Sequence, residues 1–184
     1  MDVLEAPAAV AAPVSAAPAP APAAQAPLAA AVPTRAALAP PGEYLTFCLG
    51  GEAYGIDILK VQEIRSYEAP TRIANTPHHV KGVVNLRGVI VPIIDLRLKL
   101  GCERADFDAF TVVIVLSIAG RVAGAVVDAV ADVVLLDAKA IKPAPALGGG
   151  VDARFITGIA SQGDRTLVLA DIEALMTEGD FNLG

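Results

Sequence analysis

The 184-residue sequence has no tryptophan, two cysteines, two histidines and few aromatics, three Tyr and five Phe. Two cysteines, Cys48 and Cys102, make neither a disulfide scaffold nor a four-cysteine zinc site, and predict reduced thiols in a cytosolic protein. Charged residues are 18% of the chain and the formal net charge is -6. An acidic balance argues against a general nucleic-acid binder, whose phosphate affinity rests on clustered Lys and Arg. Long hydrophobic runs are missing too. The stretch over residues 112–119 falls short of the ~20 apolar residues that cross a bilayer, so no direct membrane insertion is expected. The first basic residue is Arg35, and prolines interrupt the apolar stretch before it, so a signal peptide is not expected.

What is abundant is alanine and proline, concentrated at one end. Residues 1–42 hold 18 alanines and 9 of the 14 prolines, and their only charges are Asp2, Glu5 and Arg35. Proline fixes φ and supplies no backbone donor, and alanine buries too little area to offset the ordering entropy. A disordered, partly polyproline-II tether is expected over residues 1–42, with order from Glu43. The remaining 142 residues suffice for an unstapled core.

In that remainder the punctuation is that of a β protein. Tyr44-Leu45-Thr46-Phe47-Cys48-Leu49 followed by Gly50-Gly51 and a return over residues 53–57 reads as a hairpin. Ile58, Val61, Gln62 and Ile64 stand at roughly helical spacing and predict a short amphipathic turn or helix. A second hairpin is expected over residues 82–96, turning at Arg87-Gly88, with Pro92 demoting its second strand to an edge or a bulge. Asp95 and Asp171 read as caps of short helices. The β-branched run over residues 111–116 reads as a strand buried on both faces. Residues 103–108 form a polar break, and residues 142–150 a loop. Nine or ten short strands with few helices favour small barrels or sandwiches over an α/β fold. The break near residue 105 suggests two barrels.

Catalytic constellations do not emerge. His78-His79 would point to opposite faces of a strand and cannot readily share a metal. No base is nominated for either cysteine, and Gly148-Gly149-Gly150 lacks a phosphate-loop pattern. Asp128 and Asp132 read as solvated turn residues. No enzyme activity, cofactor or metal is expected. What stands out is polarity inside apolar strands: Asn85 and Arg87 interrupt the second hairpin and Asp95 follows. Arg87 reads as a solvated turn charge, or as a two-pronged bond to Asp95 or to a partner's carboxylate.

Two segments carry a resemblance. Tyr54-Gly55-Ile56-Asp57-Ile58-Leu59-Lys60-Val61-Gln62-Glu63-Ile64, and Gly82-Val83-Val84-Asn85-Leu86-Arg87-Gly88-Val89-Ile90-Val91-Pro92-Ile93-Ile94-Asp95-Leu96, resemble the signature stretches of the CheW-type chemotaxis coupling family. The likeness runs over residues 43–178 and leaves the Ala/Pro tail, and residues 179–184 as a C-terminal tail, outside it. It implies a mainly β fold, two interleaved five-stranded SH3-like β-barrel subdomains sharing a hydrophobic core, with an approximate break near residue 105, short helices and a C-terminal helix.

The resemblance further implies a non-enzymatic adaptor that couples the cytoplasmic tip of methyl-accepting chemoreceptors to the regulatory domain of a CheA-type histidine kinase, in membrane-associated arrays. It carries receptor binding onto Ile58, Val61, Glu63, Arg87 and Val130, and kinase binding onto Gly82 and Asn85. Gly88, Pro92 and Asp95 come with the motif as structural residues. The alternatives are an adaptor for a chemosensory pathway controlling pili or development, and a small-barrel oligonucleotide binder. The second is disfavoured by the acidic balance and the scarcity of aromatic platforms.

Overall fold

The computed structural model describes residues 38–102, 105–144, 153–176 and 180. Among the described residues, eleven strands fall into two sheets. The first hairpin forms as read: β1 (Gly42–Leu49) and β2 (Glu52–Asp57) join through Gly50 and Gly51, both at positive φ. The chain then leaves that sheet. A 3-10 turn over Ile58–Lys60, capped by the Asp57 carboxylate on the Leu59 N–H at 2.9 Å, delivers β3 (Val61–Ser66) to the second sheet. The helical spacing of Ile58, Val61 and Ile64 is thus one short turn and then a strand. The β-branched residues go to pairing with the buried run beyond, which outweighs a short helix.

The second sheet continues with β4 (Val80–Leu86), β5 (Val89–Asp95), β6 (Val112–Ile118) and β7 (Arg121–Val127), in the order β3-β6-β7-β5-β4. Asp128 marks the return to the first sheet, which gains β8 (Ala129–Leu136), β9 (Ile141–Lys142), β10 (Ile156–Gln162) and β11 (Arg165–Ala170), in the order β8-β1-β2-β11-β10-β9. Two small β subdomains are therefore present, but the division is not near residue 105. β6 and β7 pair with strands from before that break, and β1 and β2 with strands from after it. The crossings lie at residues 58–60 and at Asp128.

Three apolar clusters fill this frame. One belongs to each sheet: Tyr44, Val134, Leu136 and Leu167 in the first, Val91, Ile93, Val113 and Val126 in the second. The largest lies between the sheets and joins Phe47, Ile56, Ile94, Leu116 and Leu175. β6 supplies Leu116 to the shared cluster and Val115 to the second sheet's own, so its uninterrupted apolar sequence is buried on both faces.

Pro92 sits within β5 opposite Val83, and β5 is not an edge strand. The proline is tolerated because β5 pairs with β7 only over Ile93–Asp95, leaving the strand up to Pro92 with a neighbour on one side. Both caps form: Asp95 accepts from Arg97 N–H ahead of α1 (Leu96–Lys99), and Asp171 from Glu173 and Ala174 ahead of α2 (Ile172–Leu175). Two boundaries move outward. Gly42 is already in β1, Ala39 is buried and the Tyr44 hydroxyl donates to the Pro40 carbonyl, so order begins before Glu43. Asp180, expected in a C-terminal tail, is buried, its carboxylate bonded to His79 and to Lys99. The rest of the tail expectation, the Gly148–Gly150 reading and most of residues 179–184 fall outside the described residues.

Candidate adaptor surfaces

Ile58, Val61 and Val130 are each half-buried, and each packs against the core between the sheets. The fold explains this. Ile58 lies in the outward crossing, Val61 opens the strand that follows, and Val130 lies just after the return at Asp128. Each packs one side on the shared core and leaves the other to solvent. Leu59, next to Ile58 in the same turn, projects into solvent at 86% exposure. The turn carrying it is tied to α2 by the ion pair between Lys60 and Glu173.

Glu63 does not share the face of Val61, although two residues along a strand ordinarily point the same way. The pairing of β3 with β6 slips between them: Val61 lies opposite Leu116, Glu63 opposite Val115. Cross-strand partners share a face. Val61 therefore follows Leu116 to the inter-sheet core, and Glu63 follows Val115 to the other side. The extra residue is Gln62, a β-bulge of the kind that re-aims a side chain.

On that other side Glu63 meets Arg87. The guanidinium Nη2 lies 3.3 Å from Glu63 Oε2. Arg87 and Gly88 form a two-residue hairpin turn with φ of 53° and 88°, the double positive φ of a type I′ turn. Asn85 holds the turn, its Oδ1 accepting from the Gly88 N–H at 2.7 Å. Arginine in the left-handed region carries backbone strain, and such strain gathers at functional positions. Its side chain is 86% exposed. Val89 and Ile90 continue the hairpin with 52% and 60% exposure, giving the charged turn an apolar flank.

Arg87 does not bond Asp95. The cation on Asp95 is Arg97, whose Nε and Nη2 donate to the two carboxylate oxygens at 3.0 and 2.9 Å. Its Nη1 donates to Asp128 Oδ1 at 2.8 Å. The other Asp128 oxygen accepts from the Gly50 N–H at 2.7 Å. Asp128, read as a solvated turn residue, instead ties the first hairpin to α1 at the second crossing. Burial alone would lower the Arg97 pKa, but the carboxylates of Asp95 and Asp128 more than reverse this and raise it. Arg97 gave no sequence signal, because a polar residue two places after a cap ordinarily faces water.

Gly82 is buried, and the kinase-contact role transferred to it meets a physical obstacle. Its φ is 139°, and a Cβ there would collide with the Thr71 carbonyl. The Thr71 N–H donates to Val83 O and the Val83 N–H to Thr71 O, both at 2.9 Å. The close approach that requires glycine is made by the chain's own 67–79 loop. Gly88 and Asp95 keep the structural roles read for them.

Among the described residues no helix is long and apolar enough to cross a membrane, and no cluster of three His, Cys, Asp or Glu could hold a metal ion. A protein of two β subdomains around a shared core, with its distinctive residues displayed on strand edges and a hairpin turn, belongs to the class of protein-binding scaffolds. The comparisons specify which. The CheW-like domain profile matches residues 43–180. The chain is 54% identical over 141 residues to "Chemotaxis protein CheW" of Klebsiella aerogenes, spanning 77% of this chain and 85% of that protein. It is 35% identical to the "Probable chemotaxis protein CheW" of Rhizobium etli over 74% of this chain and 88% of that one. The crystal structure of the scaffolding protein TtCheW from Thermoanaerobacter tengcongensis superposes with a TM-score of 0.69 at 34% identity, covering 76% and 90% of the two chains. The chain belongs to the CheW-like domain family, the chemotaxis adaptors.

Proposed function

We propose that this adaptor couples the cytoplasmic tip of methyl-accepting chemoreceptors to the regulatory domain of a CheA-type histidine kinase, without chemistry of its own, and is recruited from the cytoplasm to receptor arrays. The reading of the receptor half is supported by Ile58, Val61 and Val130 each lying half-exposed against the inter-sheet core, next to the two crossings. A helical receptor tip presents an apolar face, and half-exposed aliphatic side chains near charged ones suit it. β3 is an edge strand, so a helix lying along it reaches Val61 on one side and Glu63 with Arg87 on the other.

The kinase half rests on the β4–β5 hairpin. Asn85 shapes the turn, and Val89 and Ile90 offer exposed apolar contact beside it. Gly82 acts on this surface indirectly, through the loop it accommodates. Linkage demands that the adaptor bind the receptor's signalling states unequally, or it transmits nothing.

Calorimetric titration of the full chain with the kinase regulatory domain, and separately with a receptor-tip fragment, tests this reading. One-to-one binding in both is expected. Val61→Asp should weaken the receptor titration at least about tenfold and leave the kinase titration within about twofold, since an introduced carboxylate loses its hydration against an apolar helix. Equal damage to both by a folded variant would refute the division of surfaces.

A further inference from the structure

A concavity of about 300 Å³ lies under the 67–79 loop, at the start of β4 and away from the β4–β5 turn. Its charge is opposite to that of the molecule. Arg72, His78 and Lys81 line it, and no Asp or Glu does among the described residues, although the chain carries a net -6. Among the described residues neither Arg72 nor Lys81 forms an ion pair. Cations lining one space with no carboxylate in that lining offer countercharge to an anion.

The wall is aromatic. Tyr67 and Phe107 stack with ring centroids 4.4 Å apart. Lys81 Nζ stands 5.6 Å from the Phe107 centroid, and Arg97 lies 4.8 Å from the same ring. The loop is preformed. Thr71 is bridged to Val83, Gly82 admits its backbone, the Val80 N–H donates to Pro77 O at 2.9 Å, and Thr76 Oγ1 donates to Ile73 O at 3.1 Å. Pro70 and Pro77 line the space between these ties. A preformed loop and a stacked ring wall lower the ordering cost of a ligand. The volume lies at the small end of small-molecule sites, which excludes a large cofactor.

We propose that this concavity binds a small organic anion, a carboxylate or phosphate monoester on a flat apolar body. Arg72 and Lys81 take the anionic head, His78 adds a donor, and the flat body lies against the edge of the Tyr67–Phe107 pair, whose facing rings already stack on each other. Binding involves no covalent step.

Amide-resolved NMR titration of the full 184-residue chain with phenyl phosphate tests it at constant ionic strength, with inorganic phosphate and phenol as the half-ligand controls. The expected result is saturable shifts confined to residues 67–81 and Phe107, with Kd of about 1 mM or below. Phenol and inorganic phosphate should each bind at least about tenfold more weakly. Arg72→Gln with Lys81→Gln, in a sample retaining the native spectrum, should weaken phenyl phosphate at least about tenfold. Should that pair unfold the loop, the exposed His78→Gln must weaken binding in its place. Absence of shifts, shifts that never saturate or spread over the surface, or equal affinity in the variants would overturn the proposal. So would loss of kinase-domain binding in the variants with no response to phenyl phosphate, which would make the cations a protein contact.

Discussion

Arg97 grips Asp95 with two parallel hydrogen bonds, and the pair is all but sealed from water, at 2% and 0% side-chain exposure. The relationship crosses three elements. Asp95 ends β5 and caps α1, Arg97 sits in that helix, and its remaining nitrogen reaches Asp128 where the chain returns to the first sheet. A buried ion pair adds little over an apolar pair of the same shape, but an unpaired buried charge is expensive.

Removing one partner should therefore be severe. Arg97→Ala is expected to cost about 3–5 kcal/mol, because it strands Asp95 in the core. Arg97→Lys should recover only part, since an ammonium cannot make the two-pronged contact. Urea denaturation followed by circular dichroism measures both. A loss below about 1 kcal/mol for Arg97→Ala would mean that the Asp95 carboxylate finds another donor.

Arg87 should behave in the opposite way. Its ion pair with Glu63 is exposed, and such pairs contribute about 0–1 kcal/mol. Arg87→Gly removes the guanidinium and also relieves a left-handed arginine, so stability should hold or rise by about 1 kcal/mol. Coupling should nonetheless fall. Reconstituted arrays of receptor, kinase and variant would show this as lost receptor control of kinase activity, and full control would exclude Arg87 from the working surface.

Gly82→Ala tests whether that glycine is a contact or a backbone requirement. Its φ and the Thr71 carbonyl leave no place for a methyl group. A cost of about 1–3 kcal/mol is expected from the backbone strain, with faster amide exchange across residues 67–79. Unchanged exchange in that loop, with weaker kinase binding, would instead support direct contact.

Cys102 supplies a pH prediction. Burial, and then the Asp128 carboxylate, raises its thiol pKa. The thiolate is the reactive form, so alkylation by iodoacetamide should have its midpoint above the ~8.5 of a free cysteine. A raised folded-state pKa contributes stability that is present below the unfolded value and lost as pH climbs through the folded one, so a decline is expected only in alkaline solution. Asp128→Asn should bring the alkylation midpoint down. A midpoint at or below the free value would contradict the burial.

Much of this architecture was legible along the chain because its signals are local. Gly50-Gly51, Arg87-Gly88 and the caps Asp95 and Asp171 act through their own backbone neighbours, and they formed where they were read. Ile58, Val61 and Val130 were nameable through family likeness, and the two crossings explain why each lies half-buried against the inter-sheet core. Tertiary pairing decided the rest. It assigned β6 and β7 to the earlier half's sheet and slipped β3 at Gln62, so that Val61 and Glu63 point apart. It handed Asp95 to Arg97 rather than Arg87, and drew Ala39 and Asp180 into the fold. Each of these depends on which distant segment lies opposite. Turn and cap preferences are properties of a few adjacent residues, whereas partner choice between strands is settled by burial and charge pairing across the whole chain.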